Sequence, residues 1–295
     1  MTPSRERVAP ASSLPVDDAA LALIDMALDE DIGAGDWTTR WTVPARTRVQ
    51  AGIYAKADGV VAGVPVAAAV FLRLDARMDI DVIANDGDRV RSGEPVMRVR
   101  GPGRAVLTGE RVAINFLQRL SGIATLTRRF VDAVDGTGAS ILDTRKTTPG
   151  WRALEKAAVR SGGGLNHRAG LYDMVLIKEN HADIAGGLAA ALRKVRDQNS
   201  RRLPVTVEIH SMQDLEMALE SRVERLLLDN FDTAALRRMV GVARARQPAA
   251  AIEASGNMTL ERVREVAETG VDFISVGALT HSAPAFDLSL RIDPL

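Results

Sequence analysis

Residues 141–181 read ILDTRKTTPGWRALEKAAVRSGGGLNHRAGLYDMVLIKENH. Two short apolar runs, Ser140–Leu142 and Met174–Ile177, stop abruptly in charge. The first stops at Asp143-Thr144-Arg145-Lys146, the second at Lys178-Glu179-Asn180. Between them lie a helical pattern over Trp151–Arg160 and a glycine-rich turn carrying Asn166, His167 and Arg168. Short apolar runs bounded by turn signals read as buried strands, and the longer periodic segment as a helix. The stretch is a strand–helix–strand unit whose strands both end on cations. In a parallel α/β architecture the strand C-termini share one face, which brings Arg145, Lys146, His167, Arg168 and Lys178 within reach of one another. Like charges repel unless something anionic sits among them. The pattern points to a pocket for a small, multiply charged anion.

From Gly138 onward the β–α rhythm repeats. Strands are expected near 139–145, 173–178, 204–209, 224–229, 250–254 and 272–276, and helices near 151–160, 181–197, 211–221, 232–246 and 259–269. Ser211, Asp232 and Thr259 sit where N-caps belong. Lys178, Glu208, Asp229, Ser255 and Gly277 end successive strands at intervals of 30, 21, 26 and 22 residues. That is the period of a (β/α) barrel or an open parallel sheet. Six strands fall short of the eight that a closed barrel needs.

Upstream the pattern differs. Residues 17–30 have helical periodicity, with Asp17 or Asp18 as N-cap, and DIGAGDWTTRWTVP reads as a turn-rich segment. RVQAGIYAKADGVVAG reads as two strands around a turn, VPVAAAVFLRLD as a helix, and DIDVIANDGDRVRSGEPVMRVRGPG as strands joined by Gly/Asp turns. Together they suggest an α/β sandwich on an antiparallel sheet. A long amphipathic helix follows over about 108–134, with Ile114, Leu117, Leu120 and Ile123 in one stripe and Gly122 as a candidate break. Arg111 lies near its start, where spacing alone makes it a solvated helix arginine. The expected organisation is a disordered tail (1–16), a sandwich domain (17–118) and a barrel domain (119–283), with residues 284–295 returning to the sandwich.

Composition narrows the function classes. The chain has 295 residues, with 38 basic and 38 acidic side chains and a formal net charge of zero. A broad nucleic-acid or membrane footprint is thereby disfavoured, and the basic cluster is local. There is no cysteine, which excludes disulfides, thiol catalysis and Cys-based zinc sites and fits a cytoplasmic setting. No apolar run approaches the roughly 20 residues that span a bilayer. The first fifteen residues, MTPSRERVAPASSLP, lack the hydrophobic stretch of a signal peptide. Only five of the basic residues are lysine, so lysines at strand ends are less expected as surface filler.

The strand ends supply cations first, carboxylates next and glycine-rich loops last. Glu208 and Asp229 each close an apolar run. Taken singly, each has a plainer explanation as a helix cap or a partner for buried arginine. As a pair facing a phosphate-binding rim they suit Mg²⁺ or sugar hydroxyls, since hard cations prefer oxygen ligands. EASGNMT and SVGALTHS come last in the series, where barrels commonly seat phosphate on backbone N–H groups. Gly256 and Gly277 permit close approach there, and Ser255 and His281 add donors. A cationic patch, a pair of acids and a phosphate cradle together suit glycosyl transfer from a sugar pyrophosphate to a small polycarboxylate.

On these residues the chain resembles the quinolinate phosphoribosyltransferases. The resemblance is carried by DEDIGAGDWTT, TGERVAINFLQRLSGIAT, the stretch 143–181, VEIHSMQDLEMAL, LLLDNF, EASGN and VGALTHS, in order from about Leu21 to Ile292. It implies an N-terminal α/β sandwich followed by an incomplete (β/α) barrel, type II phosphoribosyltransferase-like, in a homodimer with shared active sites. It further implies a pentosyltransferase that joins phosphoribosyl pyrophosphate to quinolinate with decarboxylation, using Mg²⁺, in NAD biosynthesis. By the resemblance Arg145, His167, Arg168 and Lys178 bind quinolinate, and Arg111 reaches in from the partner subunit. Lys146, Glu208 and Asp229 surround ribose, pyrophosphate and metal, the two acids holding Mg²⁺ directly or through water. Ser255, Gly256, Asn257, Gly277, Ala278 and His281 belong to the phosphate loops.

Three other readings compete. Lys178 after an apolar run also suits a Schiff-base lysine in a class I aldolase-like barrel. A paralogous pyrophosphorylase associated with molybdenum transport shares much of the pattern. DGDRVRSGEPVMRV resembles a lipoyl- or biotinyl-carrier hairpin, with Lys56 as the modified lysine.

Overall fold

A computed structural model describes residues 16–294; the expected tail over 1–16 lies, Val16 apart, outside them. In chain order the first elements are α1 (Asp18–Ile32), α2 (Trp37–Thr42), β1 (Arg48–Ala55), β2 (Gly59–Val60), α3 (Val64–Leu74), β3 (Asp79–Val82), β4 (Arg89–Val90), β5 (Pro95–Pro102) and α4 (Gly103–Ala133). The β–α series follows as β6 (Ser140–Leu142), α5 (Arg152–Ser161), β7 (Val175–Ile177), α6 (Glu179–Ala185), α7 (Leu188–Gln198), β8 (Val205–Ile209) and α8 (Met212–Glu220). It ends with β9 (Arg225–Asp229), α9 (Thr233–Arg246), β10 (Ala251–Ser255), α10 (Leu260–Ala267), β11 (Phe273–Ser275), α11 (Ala278–His281) and β12 (Leu288–Pro294). Two compact units result. One holds the described residues through Arg128 with Thr148–Gly163 and the segment from Ala283; the other holds Arg129–Thr147 and Gly164–Ser282.

The first unit is built on a four-stranded antiparallel sheet in the order β12-β1-β5-β3. α3 is apolar nearly all round, and Val64 through Leu72 are buried apart from Pro65, as expected of a helix enclosed on every side. The expected α4 stripe is real: Ile114, Leu117, Leu120 and Ile123 are all buried. Truncating such a residue to alanine costs about 2–5 kcal/mol. Gly122 does not break the helix. A Cβ there would lie 2.1 Å from the Pro284 carbonyl oxygen, so glycine serves close packing. α5 belongs to this unit, with Trp151 stacked on Phe116 at 4.7 Å and Arg119 bonded to the fully buried Glu155 at 2.8 Å.

Two local expectations fail here. The segment read as turn-rich contains α2, capped by Asp36, whose side chain accepts from Thr39 N–H. β1 and β2 do not pair with each other: β1 lies between β5 and β12, and β2 pairs with β4. Lys56 therefore sits on no hairpin tip and instead meets Asp287 at 3.4 Å, which removes the carrier reading.

The second unit is a six-stranded parallel sheet in the order β6-β11-β10-β9-β8-β7. The first two strands lie at the edges and do not pair with each other, so the barrel is open between them. Leu165 occupies part of that gap through a bridge to Leu142, with Leu165 N–H donating to Ile141 O at 2.8 Å. Ser211 and Asp232 cap α8 and α9 with their side chains; Thr259 is the N-cap residue of α10 but makes no side-chain cap bond. The helix expected over 181–197 is two helices, because Gly186 and Gly187 take φ of +91° and +103° between them. No described helix is long and apolar enough to cross a membrane.

Candidate active site

The register of the parallel sheet decides which side chains meet. Glu208 lies opposite Leu227, Leu227 opposite Glu253, and Asp229 opposite Ser255. Cross-strand partners point to the same face, and alternation along a strand reverses it. Glu208, Asp229, Glu253 and Ser255 therefore share one face with Arg225. The opposite face carries Ile141, Val207, Ile209, Leu226, Leu228, Ile252, Ala254 and Ile274, all buried. Stability comes from the apolar face, which leaves the other free for polar chemistry.

At the edge of that face, Lys178 follows Ile177, which pairs with Val207, and so stands beside Glu208. Its Nζ lies 2.9 Å from Glu208 Oε1, with Lys178 about half exposed and Glu208 nearly enclosed. His210 Nε2 approaches the other Glu208 oxygen at 3.7 Å. Glu208 is not a helix cap, since Ser211 fills that role. Nor does Lys178 stand alone as a Schiff-base lysine would, its Nζ donating to Glu208 Oε1.

The open edge carries the remaining cations. Fully buried Asp143 accepts from Asn166 Nδ2 at 2.5 Å and from the His167 backbone N–H at 2.8 Å. His167 Nδ1 accepts the Arg168 backbone N–H at 2.7 Å, and its Nε2 lies 3.4 Å from Glu253 Oε2. Arg168 is 9% exposed and donates from Nη1 to Met174 O at 3.1 Å. Burial, then the positive charge of Arg145, pushes its pKa below the ordinary arginine value, against the pull of Asp173. Arg168 thus holds its charge in a buried place with a second guanidinium acting against it. Such an arrangement suits a ligand with more than one negative charge.

Each of the last two loops is tied to a neighbouring strand-end loop by side chains. Thr280 Oγ1 donates to Lys146 O at 2.8 Å, and Gly277 lies against the Lys146 stem and the His281 ring. Asn230 donates from Nδ2 to Asp229 at 2.8 Å and from its backbone to Ser255 O at 3.0 Å. Asn230, Gly256 and Asn257 all take positive φ, a compact turn pair at the ends of β9 and β10. Ala278 opens α11 directly after Gly277. Arg262 ties the pair from behind, donating to Phe231 O at 2.5 Å and Gly256 O at 3.4 Å.

The second unit thus carries Arg145, Lys146, His167, Arg168, Lys178, Glu208, Asp229 and the loop residues. Arg111 is not among them: it is exposed on α4 in the first unit. Sequence reasoning missed Asp143, Arg225, Glu253, Ser275 and Arg262. Glu253 left a signal, a lone acid inside the apolar run AAAIEAS, since a charge in a buried strand must be paired. Among the described residues no cluster of three or more His, Asp or Glu side chains forms a metal cage. Two carboxylates at neighbouring strand ends nonetheless fit Mg²⁺, which is usually held by one or two carboxylates together with substrate phosphates.

Comparison with known proteins agrees with this geometry. Residues 36–121 match the N-terminal domain model and residues 123–291 the C-terminal domain model of quinolinate phosphoribosyl transferase. The chain is 45% identical over 281 residues to a nicotinate-nucleotide pyrophosphorylase [carboxylating] of Mycobacterium leprae, covering 93% of this chain and 98% of that one. It is 43% identical over 265 residues to a probable enzyme of the same name from Synechocystis, covering 90% of each. The solved nicotinate-nucleotide pyrophosphorylase of Francisella tularensis superposes with a TM-score of 0.89 at 36% identity, over 97% of this chain and all of that one. An open parallel barrel with cations and acids at its strand ends, together with matches along nearly its whole described length, makes this chain a member of the quinolinate phosphoribosyltransferase family.

Proposed function

We propose that the protein transfers the phosphoribosyl group of phosphoribosyl pyrophosphate to the ring nitrogen of quinolinate, with decarboxylation, in NAD biosynthesis. The observation that carries this is the gathering of cations at one end of the polar face: Lys178 beside Glu208 at 2.9 Å, His167 beside Glu253 at 3.4 Å, and the 9%-exposed Arg168 next in the chain. A dicarboxylate satisfies that cluster better than a monocarboxylate does. Quinolinate is placed among Arg145, His167, Arg168 and Lys178. Phosphoribosyl pyrophosphate is placed along Lys146, Glu208, Asp229 and the loops of Ser255–Asn257 and Gly277–His281.

Glu208 and Asp229 would hold Mg²⁺, which neutralises charge on the leaving pyrophosphate when bound. Lys146 adds a cation on the same side. The ring nitrogen forms its bond to the anomeric carbon as the bond to pyrophosphate oxygen breaks. The carboxylates of Glu208 and Asp229 oppose the positive charge that develops on the ribose. The alkylated ring is then a pyridinium that accepts the electron pair of the departing carboxylate, and the ring carbon takes up a proton. The protein's contribution is positioning and charge.

The assembly we propose is a homodimer in which Arg111 completes the partner's quinolinate site, working in the cytoplasm. Arg111 is exposed and, among the described residues, without a hydrogen bond or ion pair. Leu171 and Tyr172, on the loop after Arg168, are 73% and 69% exposed, an apolar surface suited to cover by a second copy. The decisive assay measures CO₂ and pyrophosphate release from phosphoribosyl pyrophosphate with Mg²⁺, using quinolinate and, separately, nicotinate. Turnover with quinolinate alone is expected; equal turnover of nicotinate would reject the proposal.

A further inference from the structure

One buried acid has no part in the chemistry above. Glu253 lies at the centre of the polar face, opposite Leu227 on one side and Phe273 on the other, with no solvent exposure. Its Oε1 accepts from the Ser275 hydroxyl, and its Oε2 accepts from Arg225 Nη1 at 3.2 Å. The same Oε2 faces His167 Nε2 at 3.4 Å. Burial works against a carboxylate here. The hydrogen bond from His167, the Ser275 hydroxyl and the Arg225 charge outweigh it, so the acid stays below its usual pKa. A buried anion is costly to maintain, and an uncharged pair of similar volume would fill the space as well.

What the charge does is visible at His167. Nδ1 of the ring accepts the Arg168 backbone N–H, so the ring proton belongs on Nε2, the atom facing Glu253. A carboxylate at that distance selects this tautomer and fixes the ring plane, because the opposite tautomer would set two acceptors against each other. The His167 backbone N–H is meanwhile held by Asp143, and Arg168 follows directly in the chain. The ring and backbone of residue 167 are therefore fixed from three directions, and the orientation of Arg168 depends on them.

We infer that Glu253, supported by Arg225 and Ser275, is a positioning residue for the dicarboxylate site. It holds His167 as the Nε2–H tautomer and so keeps the Asn166–Arg168 segment in its receiving geometry. This rests on the assignment of that segment to quinolinate, and the experiment reads the two separately.

The test compares Glu253→Gln with the double variant Arg225→Met/Glu253→Gln. The single change strands the Arg225 cation; the double change removes both charges at similar volume and relieves that penalty. With Glu253→Gln, the melting temperature should fall and the quinolinate KM rise about tenfold, while the phosphoribosyl pyrophosphate KM stays within about twofold. In the double variant the melting temperature should recover and the quinolinate KM should not. Nitrogen-15 NMR of the imidazoles, of which the chain has only four, should show His167 as Nε2–H in the unmodified protein and as a tautomer mixture in both variants. Recovery of both temperature and quinolinate KM in the double variant would make the pair merely structural and overturn the inference. So would an equal rise in both KM values, or an Nδ1–H tautomer in the unmodified protein. The last measurement needs no variant to fold and no substrate to bind. A failure of quinolinate to bind the unmodified enzyme would instead count against the proposed function.

Discussion

Substituting Gly256 by alanine tests the strand-end loops most directly. Its φ is +97°, and a Cβ there would lie 2.1 Å from Asn230 Oδ1 and 2.9 Å from the Asn230 backbone nitrogen. Rotating the amide relieves the first contact but not the second, so the backbone must move. An L-residue in this region costs about 1–2 kcal/mol. Displacing Asn230 also weakens its bonds to Asp229 (2.8 Å) and Asn257 (3.4 Å). Being partly solvated, these add about 1 kcal/mol together. The expected loss is about 2–3 kcal/mol, or a melting temperature lower by about 3–5 °C in a chain of this length. Titration calorimetry should show weaker phosphoribosyl pyrophosphate binding with quinolinate binding retained. Gly277→Ala is the matched control, because Gly277 has a helical φ of −64° and the atoms nearest a Cβ there, Lys146 Cδ at 3.0 Å and the His281 ring at 3.2 Å, belong to side chains that can shift. Its stability should change by less than about 1 kcal/mol. A Gly256→Ala protein that melts within about 2 °C of the parent and binds phosphoribosyl pyrophosphate normally would refute the reasoning, because the temperature shift was derived from that backbone conflict.

Glu208→Ala and Asp229→Ala should each lower kcat strongly while calorimetry shows quinolinate affinity little changed; lost quinolinate binding with intact turnover would reverse the assignment. Lys178→Met should cost less than about 1 kcal/mol of stability, since its ion pair with Glu208 is half exposed on the lysine side, yet raise the quinolinate KM. Arg111→Ala and Arg145→Ala should each be inactive alone and regain activity when mixed, because a mixed dimer contains one intact site. If mass spectrometry confirms subunit exchange and no activity returns, Arg111 does not act across an interface.

The parallel sheet was legible because each strand presents an unbroken apolar face, such as Leu226 and Leu228 or Ile252 and Ala254, ending in a charge or a glycine-rich turn. Residues that end those runs, such as Lys178, Glu208 and Asp229, were visible for the same reason. Glu253 and Arg225 were hidden because they alternate with apolar neighbours inside strands, where attention falls on the run. Pairing in the first unit could not be read locally: β1 joins β5 and β12, and nothing in the sequence of β1 names partners so distant. The turn-rich reading of α2 failed because two tryptophans and three threonines in six residues are weak helix formers, and the Asp36 cap outweighs them. Gly186–Gly187 was in plain view, yet helical periodicity continues on both sides and masks the interruption.

The charges of the second unit fall into two kinds. Glu253 is matched by Arg225, and Asp143 by the amide groups of Asn166 and His167, so each buried anion has its donors inside the protein. Arg168 is different. It is buried, its guanidinium donates to a carbonyl, and both burial and the neighbouring Arg145 act against its charge. Asp173 opposes both effects, and a further anion beside Arg168 would act in the same sense. A ligand that binds only the folded form raises its stability in proportion to the logarithm of its concentration over Kd. On the proposed assignment a dianion would be the ligand that gains most from this site. If Arg145 and Arg168 receive quinolinate as proposed, a monocarboxylate would leave part of that repulsion in place, and the same two arginines would favour quinolinate over nicotinate.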